Sequence, residues 1–107
     1  MAKQIQSSAA FENQVLGSDR PVLVDFYADW CGPCRRMLPV VDELAAELDG
    51  RADVVKVNVD ESPELAQRYE VQSIPNFVLI KDGEVKERLI GGQPKEALAR
   101  AVQAQLN

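Results

Sequence analysis

The sequence predicts an α/β protein: one mixed β-sheet of about five strands, flanked by about four helices, in the order βαβαβαββα. Three observations carry this expectation. Two runs, Val22–Tyr27 and Val54–Val59, are apolar on both alternating faces, as strands buried between two layers must be. Segments with apolar residues at three- and four-residue spacing separate the strands. A run from Phe77 to Ile80 is followed by Lys81-Asp82-Gly83 and a second run, Glu84–Ile90, which reads as a hairpin.

Taken in order, Lys3–Gln6 forms a short edge strand. Ser7 or Ser8 caps a helix carrying Phe11, Val15 and Leu16, stopped at Gly17. The strand Val22–Tyr27 follows. Met37, Leu38, Val41, Leu44, Ala45 and Leu48 line one face of a helix over Cys34–Leu48, which stops before Gly50 and is kinked at Pro39. After the strand Val54–Val59, Ser62 caps a short helix with Pro63 at its first position, running to about Tyr69. The hairpin is next. Pro94 opens the last helix, with Leu98, Ala101, Val102 and Leu106 on one face. Right-handed crossovers make the first three strands parallel, and the hairpin adds an antiparallel pair. The chain, residues 1–107, reads as a single domain.

Composition narrows the function. Lys plus Arg is 12 and Asp plus Glu is 17, a net charge of −5, which disfavours nucleic acid and anionic membranes as partners. There is no histidine, hence no imidazole base and no imidazole metal ligand. The N-terminus shows no apolar stretch of signal-peptide type, and no run approaches the ~18 apolar residues of a membrane span. A protein of a reducing cytoplasm is expected, where a dithiol is not held permanently oxidised.

The only two cysteines are Cys31 and Cys34. A bridge across so short a loop constrains the unfolded chain by only about 2 kcal/mol, so chemistry is a better reading than stapling. The segment Trp30-Cys31-Gly32-Pro33-Cys34 lies between a strand and a helix. Cys31 is then at the helix start, where unpaired N–H groups and the dipole favour a thiolate. Cys34, one turn on, is expected to be more buried. Cys31 would attack a disulfide and Cys34 would resolve the mixed disulfide. Gly32 and Pro33 let the loop turn and hold it. Half of a zinc site, or two inert core cysteines, are the alternatives; structural zinc wants four ligands and this pair offers two.

The sequence resembles the thioredoxin family over essentially its whole length. The resemblance rests on Val24–Cys34, Pro39, Lys56-Val57-Asn58-Val59-Asp60, Ser73-Ile74-Pro75, Lys81-Asp82-Gly83 and Gly91-Gly92. It implies a thioredoxin-like fold and a general protein-disulfide reductase, using the Cys31–Cys34 dithiol and no other cofactor. It implies Asp25 as a buried acid exchanging a proton with Cys34; a solvent-facing strand end is the plainer alternative. Lys56, on the neighbouring strand, would tune that acid, or else be a surface lysine. An Ile74–Pro75 cis bond is implied beside the cysteines, exposing the Ile74 backbone to an extended substrate and helping to exclude metal. Substrate contacts are expected at Trp30, Gly32, Pro33, Ile74, Pro75 and Gly91.

The implied partners are a thioredoxin reductase and disulfide-bearing proteins, with the chain acting as a monomer. No dinucleotide-binding glycine loop is present, so electrons have to arrive from another protein. A disulfide oxidase or isomerase, and a binding, processivity or chaperone-like module, are the competing functions. Tyr27, Asn76 and Gly92 depart from the residues usual in the family, Trp, Thr and Ala, and put target preference in question.

Overall fold

The computed structural model describes residues 2–106. Its elements follow the expected order: β1 (Lys3–Ile5), α1 (Ser8–Phe11), β2 (Val22–Tyr27), α2 (Gly32–Glu47), β3 (Asp53–Asn58), α3 (Pro63–Arg68), β4 (Asn76–Lys81), β5 (Glu84–Ile90) and α4 (Lys95–Gln103). The strands form one sheet in the order β1-β3-β2-β4-β5. β1, β3 and β2 are parallel, and β4 runs antiparallel to both β2 and β5. The parallel crossovers and the antiparallel hairpin are those the sequence predicts.

The central strand β2 is paired on both edges, Val24 with Val55 on one side and with Val78 on the other. Its side chains alternate between two cores. Val22, Val24 and Phe26 join Phe11, Val15, Leu65 and Tyr69 beneath α1 and α3. Leu23 joins Phe77, Leu79, Met37, Val41, Leu44 and Leu98 beneath α2 and α4. Strands with two covered faces have to be apolar throughout, which is why the Val-rich runs are continuous. Asp25, on the same face as Leu23, is the exception.

Local details differ from expectation. Ser7 caps α1, its hydroxyl accepting from the Ala10 N–H at 3.1 Å, but the helix then widens into a π-helical segment, Glu12–Leu16. Gly17 closes that segment, its N–H reaching the Glu12 carbonyl at 2.9 Å. A Cβ at Gly17 would lie 2.8 Å from the Asn13 carbonyl oxygen, so the wide turn needs glycine there. α2 starts two residues before Cys34 and carries Pro39 inside it without ending. Ser62 occupies the N-cap of α3, yet its hydroxyl makes no capping bond. Instead the Asn58 side chain organises the turn before it, accepting from the Asp60 and Glu61 N–H groups. α4 ends at Gln103, so Leu106 lies beyond the helix while still packing against the same core. Among the described residues no helix is long and apolar enough to cross a membrane.

The β4–β5 turn places Asp82 at φ 55° and Gly83 at φ 77°, the positive-φ pair of a two-residue hairpin turn. A Cβ at Gly83 meets nothing within 4 Å, so any penalty there is one of backbone conformation alone. Gly83→Ala is expected to cost about 1 kcal/mol. Gly92, also in open space but without a positive φ, is the contrast. Gly92→Ala is expected to be neutral or to stabilise by about 0.5 kcal/mol, through the unfolded chain. Urea midpoints of the two variants at constant m-value measure both.

Candidate active site

The site sits where β2 ends and α2 begins. Cys31 occupies the N-cap of α2 in extended conformation, φ −86° and ψ 110°, with Pro33 in the first turn. The Cys34 backbone N–H donates to Cys31 Sγ at 3.2 Å. The sulfur thus takes the place that a serine or aspartate oxygen takes at an ordinary helix cap. The two sulfurs are joined in a disulfide, with Cα atoms 5.2 Å apart. Both cysteines are buried, Cys31 at 5% exposure and Cys34 at 2%. Cys34 is the deeper of the pair as expected, though in the oxidised form the difference is small. Ala28 packs with the two sulfurs, and Tyr27, Val59 and Ile74 close around them.

Trp30 is 68% exposed beside this pair, its indole N–H donating to Asp60 Oδ2 at 2.8 Å. Gly32 is half-buried and Pro33 exposed. The Ile74–Pro75 bond is cis. Cys31 Sγ lies 3.9 Å from the Ile74 carbonyl oxygen. Pro75 itself is buried, and its carbonyl accepts the Gly91 N–H at 2.8 Å. The surface offered at this bend is therefore Ser73 and Ile74 rather than the proline ring. Trp30, Val59, Val71, Gln72, Ser73 and Ile74 line an open groove of about 190 Å³, and Ile74 connects it to Cys31. A larger cavity of about 410 Å³, among Lys3, Gln14, Arg20, Asp49 and Asp53, lies at the other ends of the strands and holds no thiol.

Asp25 is fully buried and neither carboxylate oxygen has a hydrogen-bond partner. The solvent-facing alternative is thereby overturned: β2 is the middle strand, and both its faces are covered. Loss of hydration pushes the carboxyl up to about 7, and the Lys56 charge pulls it partly back. Lys56 is the direct cross-strand partner of Asp25. It is half-buried, and its ammonium rests over the Tyr27 ring, 5.6 Å from the centroid, rather than in an ion pair with Asp25. The Tyr27 hydroxyl donates to Gln4 Oε1 at 2.8 Å, tying β2 to the edge strand.

The structure brings together at one end of the sheet all the residues that the sequence singled out: Cys31, Cys34, Trp30, Gly32, Pro33, Ile74, Pro75 and Gly91, with Asp25 and Lys56 beneath. Sequence reading missed Asp60 as the partner of Trp30, and Val59, Val71, Gln72 and Ser73 as groove residues. None of these carries a local signature; only the tertiary approach of the loop after β3 and of the segment before β4 to Trp30 reveals them.

A redox-active cysteine pair at a helix start, on a mixed sheet with a cis-proline turn beside it, defines a thiol–disulfide oxidoreductase. The family model for thioredoxin matches residues 2–104. Thioredoxin 1 of Nostoc sp. is 46% identical over 105 residues, covering 98% of this chain and 97% of its own. Thioredoxin of Synechocystis sp. is 45% identical, covering 94% of each chain. The solved structure of a mutant thioredoxin from Halobacterium salinarum superposes with a TM-score of 0.91 at 39% identity, covering 99% of this chain and 91% of that one. The chain belongs to the thioredoxin family. It is a dithiol–disulfide redox carrier that reduces protein disulfides, and the group that changes oxidation state is its own cysteine pair.

The raised Asp25 pKa makes stability depend on pH. In the unfolded chain this carboxyl ionises near its ordinary value of 3.8, and in the folded chain near 7. Between those values the folded protein keeps a proton that the unfolded chain releases, so stability falls as pH rises through the window. Asp25→Asn has no charge to bury. Its stability relative to the parent is expected to climb from about pH 4 to pH 7 and then level off, with a ceiling of about 4 kcal/mol. Urea unfolding of both oxidised proteins at pH 4, 5.5, 7 and 8.5 measures the difference; a pH-independent difference would contradict it.

Proposed function

We propose that Cys31 is the attacking thiolate and Cys34 the resolving thiol. The observation that carries this reading is the cap geometry: Cys31 Sγ already receives the Cys34 N–H at the open end of α2. Negative charge on that sulfur is stabilised by the same N–H and by the helix dipole. In the reduced protein the Cys31 thiolate attacks one sulfur of a substrate disulfide, and the other substrate sulfur leaves as a thiolate. Cys34 then loses its proton and attacks Cys31 Sγ. The second substrate sulfur leaves, and two electrons have passed from the pair to the substrate.

Cys34 needs a proton acceptor in a nearly dry site. Asp25, on the sheet face covered by α2 and poised near neutrality, is assigned that task, with Lys56 biasing its ionisation. The groove between Trp30 and Ile74 is assigned to an extended substrate segment, with Gly32, Pro33 and the Pro75–Gly91 pairing forming its margins. A thioredoxin reductase is the proposed electron donor, since the cycle leaves the pair oxidised. The cycle requires a reducing compartment such as the cytoplasm, where the dithiol is regenerated.

Cys34→Ser tests the assignment of roles. The variant retains the Cys31 attack but has no resolving thiol, so mixed disulfides between Cys31 and target proteins are expected to accumulate in cell extract and to vanish on reduction. Cys31→Ser is expected to trap far less, because the remaining thiol lacks the cap position. Non-reducing gels and mass spectrometry of the captured species provide the measurement. Equal trapping by the two variants would overturn the roles.

A further inference from the structure

Arg88 lies on the outermost strand, opposite Val78, on the face that α3 helps to cover. A surface cation would ordinarily extend into water or pair with a carboxylate. Arg88 does neither. It is half-buried, and among the described residues no carboxylate lies within ion-pair distance of it. Its two terminal nitrogens go to neutral acceptors on two different segments. Nη2 donates to the Tyr69 carbonyl at 2.6 Å, at the C-terminal end of α3. Helix ends leave their last carbonyls without intrahelical partners, and a cation is favoured there. Nη1 donates to Asn76 Oδ1 at 3.1 Å, and the Asn76 amide donates in turn to the Ser73 carbonyl at 3.3 Å.

These three bonds bracket one stretch of chain. Tyr69 stands at its beginning, Ser73 within it and Asn76 at its end. The residues between, Val71, Gln72, Ser73 and Ile74, form one wall of the groove beside Cys31. The segment has no sheet or helix pairing of its own beyond the turn at Glu70, which sits at φ 57° with Val71 bonded back to Ala66 at 2.9 Å. We propose that Arg88 is a positioning residue for substrate recognition. Its planar guanidinium, through Asn76, braces the Val71–Ile74 wall from behind and so holds the Ile74 backbone at a distance from Cys31 that suits an extended peptide. The proposal rests on the reading of that groove as the substrate site. It also gives a physical role to Asn76, which is buried and departs from the residue usual after the cis proline.

A wall held in place lowers the ordering cost of peptide binding. A small disulfide that makes no use of the groove gains little from it. The test uses the reduced full-length protein in stopped-flow oxidation by insulin and, separately, by 5,5′-dithiobis(2-nitrobenzoate). For Arg88→Gln the half-saturating insulin concentration is expected to rise about tenfold, with the maximal rate changed by less than about twofold. The ratio of the insulin specificity constant to the aromatic-disulfide rate constant falls about tenfold with it. Amide hydrogens of Gln72 and Ser73 are expected to exchange faster. Arg88→Lys is not expected to restore binding, because an ammonium cannot span both acceptors as the guanidinium fork does. An unchanged half-saturating concentration, or equal losses toward both disulfides, overturns the proposal.

Ile74→Asp separates this from failure of the groove reading. If Ile74→Asp weakens insulin binding while Arg88→Gln does not, the Arg88 role alone is wrong. If Ile74→Asp has no effect on insulin binding, the groove reading is wrong and the proposal falls with it. Should Arg88→Gln lose its cooperative melt, Asn76→Asp decides, since it keeps an acceptor for Arg88 but loses the donor to Ser73. The same rise in half-saturation is expected, and its absence overturns the proposal.

Discussion

Strand β2 is hydrogen-bonded along both edges and covered on both faces, and the remaining architecture is arranged by that constraint. A strand in this position has no side of its own that meets water. Its residues therefore divide between two cores, one closed by α1 and α3 and the other by α2 and α4. The chain leaves the sheet only at Tyr27, and the reactive pair comes at once, at the first turn of α2. The cysteines are thus held between the rigid end of a central strand and the first turn of a sixteen-residue helix. A pair on a surface loop would have neither support.

The same constraint makes Asp25 unusual. Every other inward position on β2 is apolar, and the carboxylate has no partner to offset its loss of water. Lys56 stands directly across the strand pair, yet its ammonium is drawn to the Tyr27 ring. An ion pair between the two would have pulled the acid well below neutrality; the offset leaves it near the pH at which a thiol must lose its proton. Stability is given up at this one place, as the proton transfer proposed for Asp25 requires, and buried acids at reactive sites commonly differ in this way from those in structural ion pairs.

The surroundings of Cys31 are of the opposite kind. Cys31 Sγ receives a backbone N–H at the helix start, whereas neither Asp25 oxygen receives a hydrogen bond. The two groups lie within one short stretch of chain and meet opposite local environments. Around them the groove is built from parts contributed by distant segments: Trp30 from the active-site loop, Val59 after β3, and the Val71–Ile74 wall before β4. That wall is the least regular of these parts, and it is tied to the sheet through Asn76 of β4, which Arg88 of β5 holds in turn.

How much of this the sequence determined follows from the range over which each force acts. Apolar alternation, turn residues and caps are local, so the strand runs, the Asp82-Gly83 turn and the helix at Pro63 were legible residue by residue. The pairing of Cys31 with Cys34 was legible for the same reason, being set by a three-residue spacing and a helix start. The π-helical widening before Gly17 was not, because a single extra residue in a helical turn leaves no pattern in the spacing of Phe11 and Val15. Nor was the burial of Asp25 certain, since a strand's depth in a sheet depends on which neighbours it acquires. The bonds from Trp30 to Asp60, from Tyr27 to Gln4 and from Arg88 to Tyr69 and Asn76 were decided only by tertiary structure. Each joins segments far apart in sequence, where no local preference speaks. Side-chain hydrogen bonds of that kind depend on positions fixed by the packing of the whole sheet and its helices, and they exist only once that packing is complete.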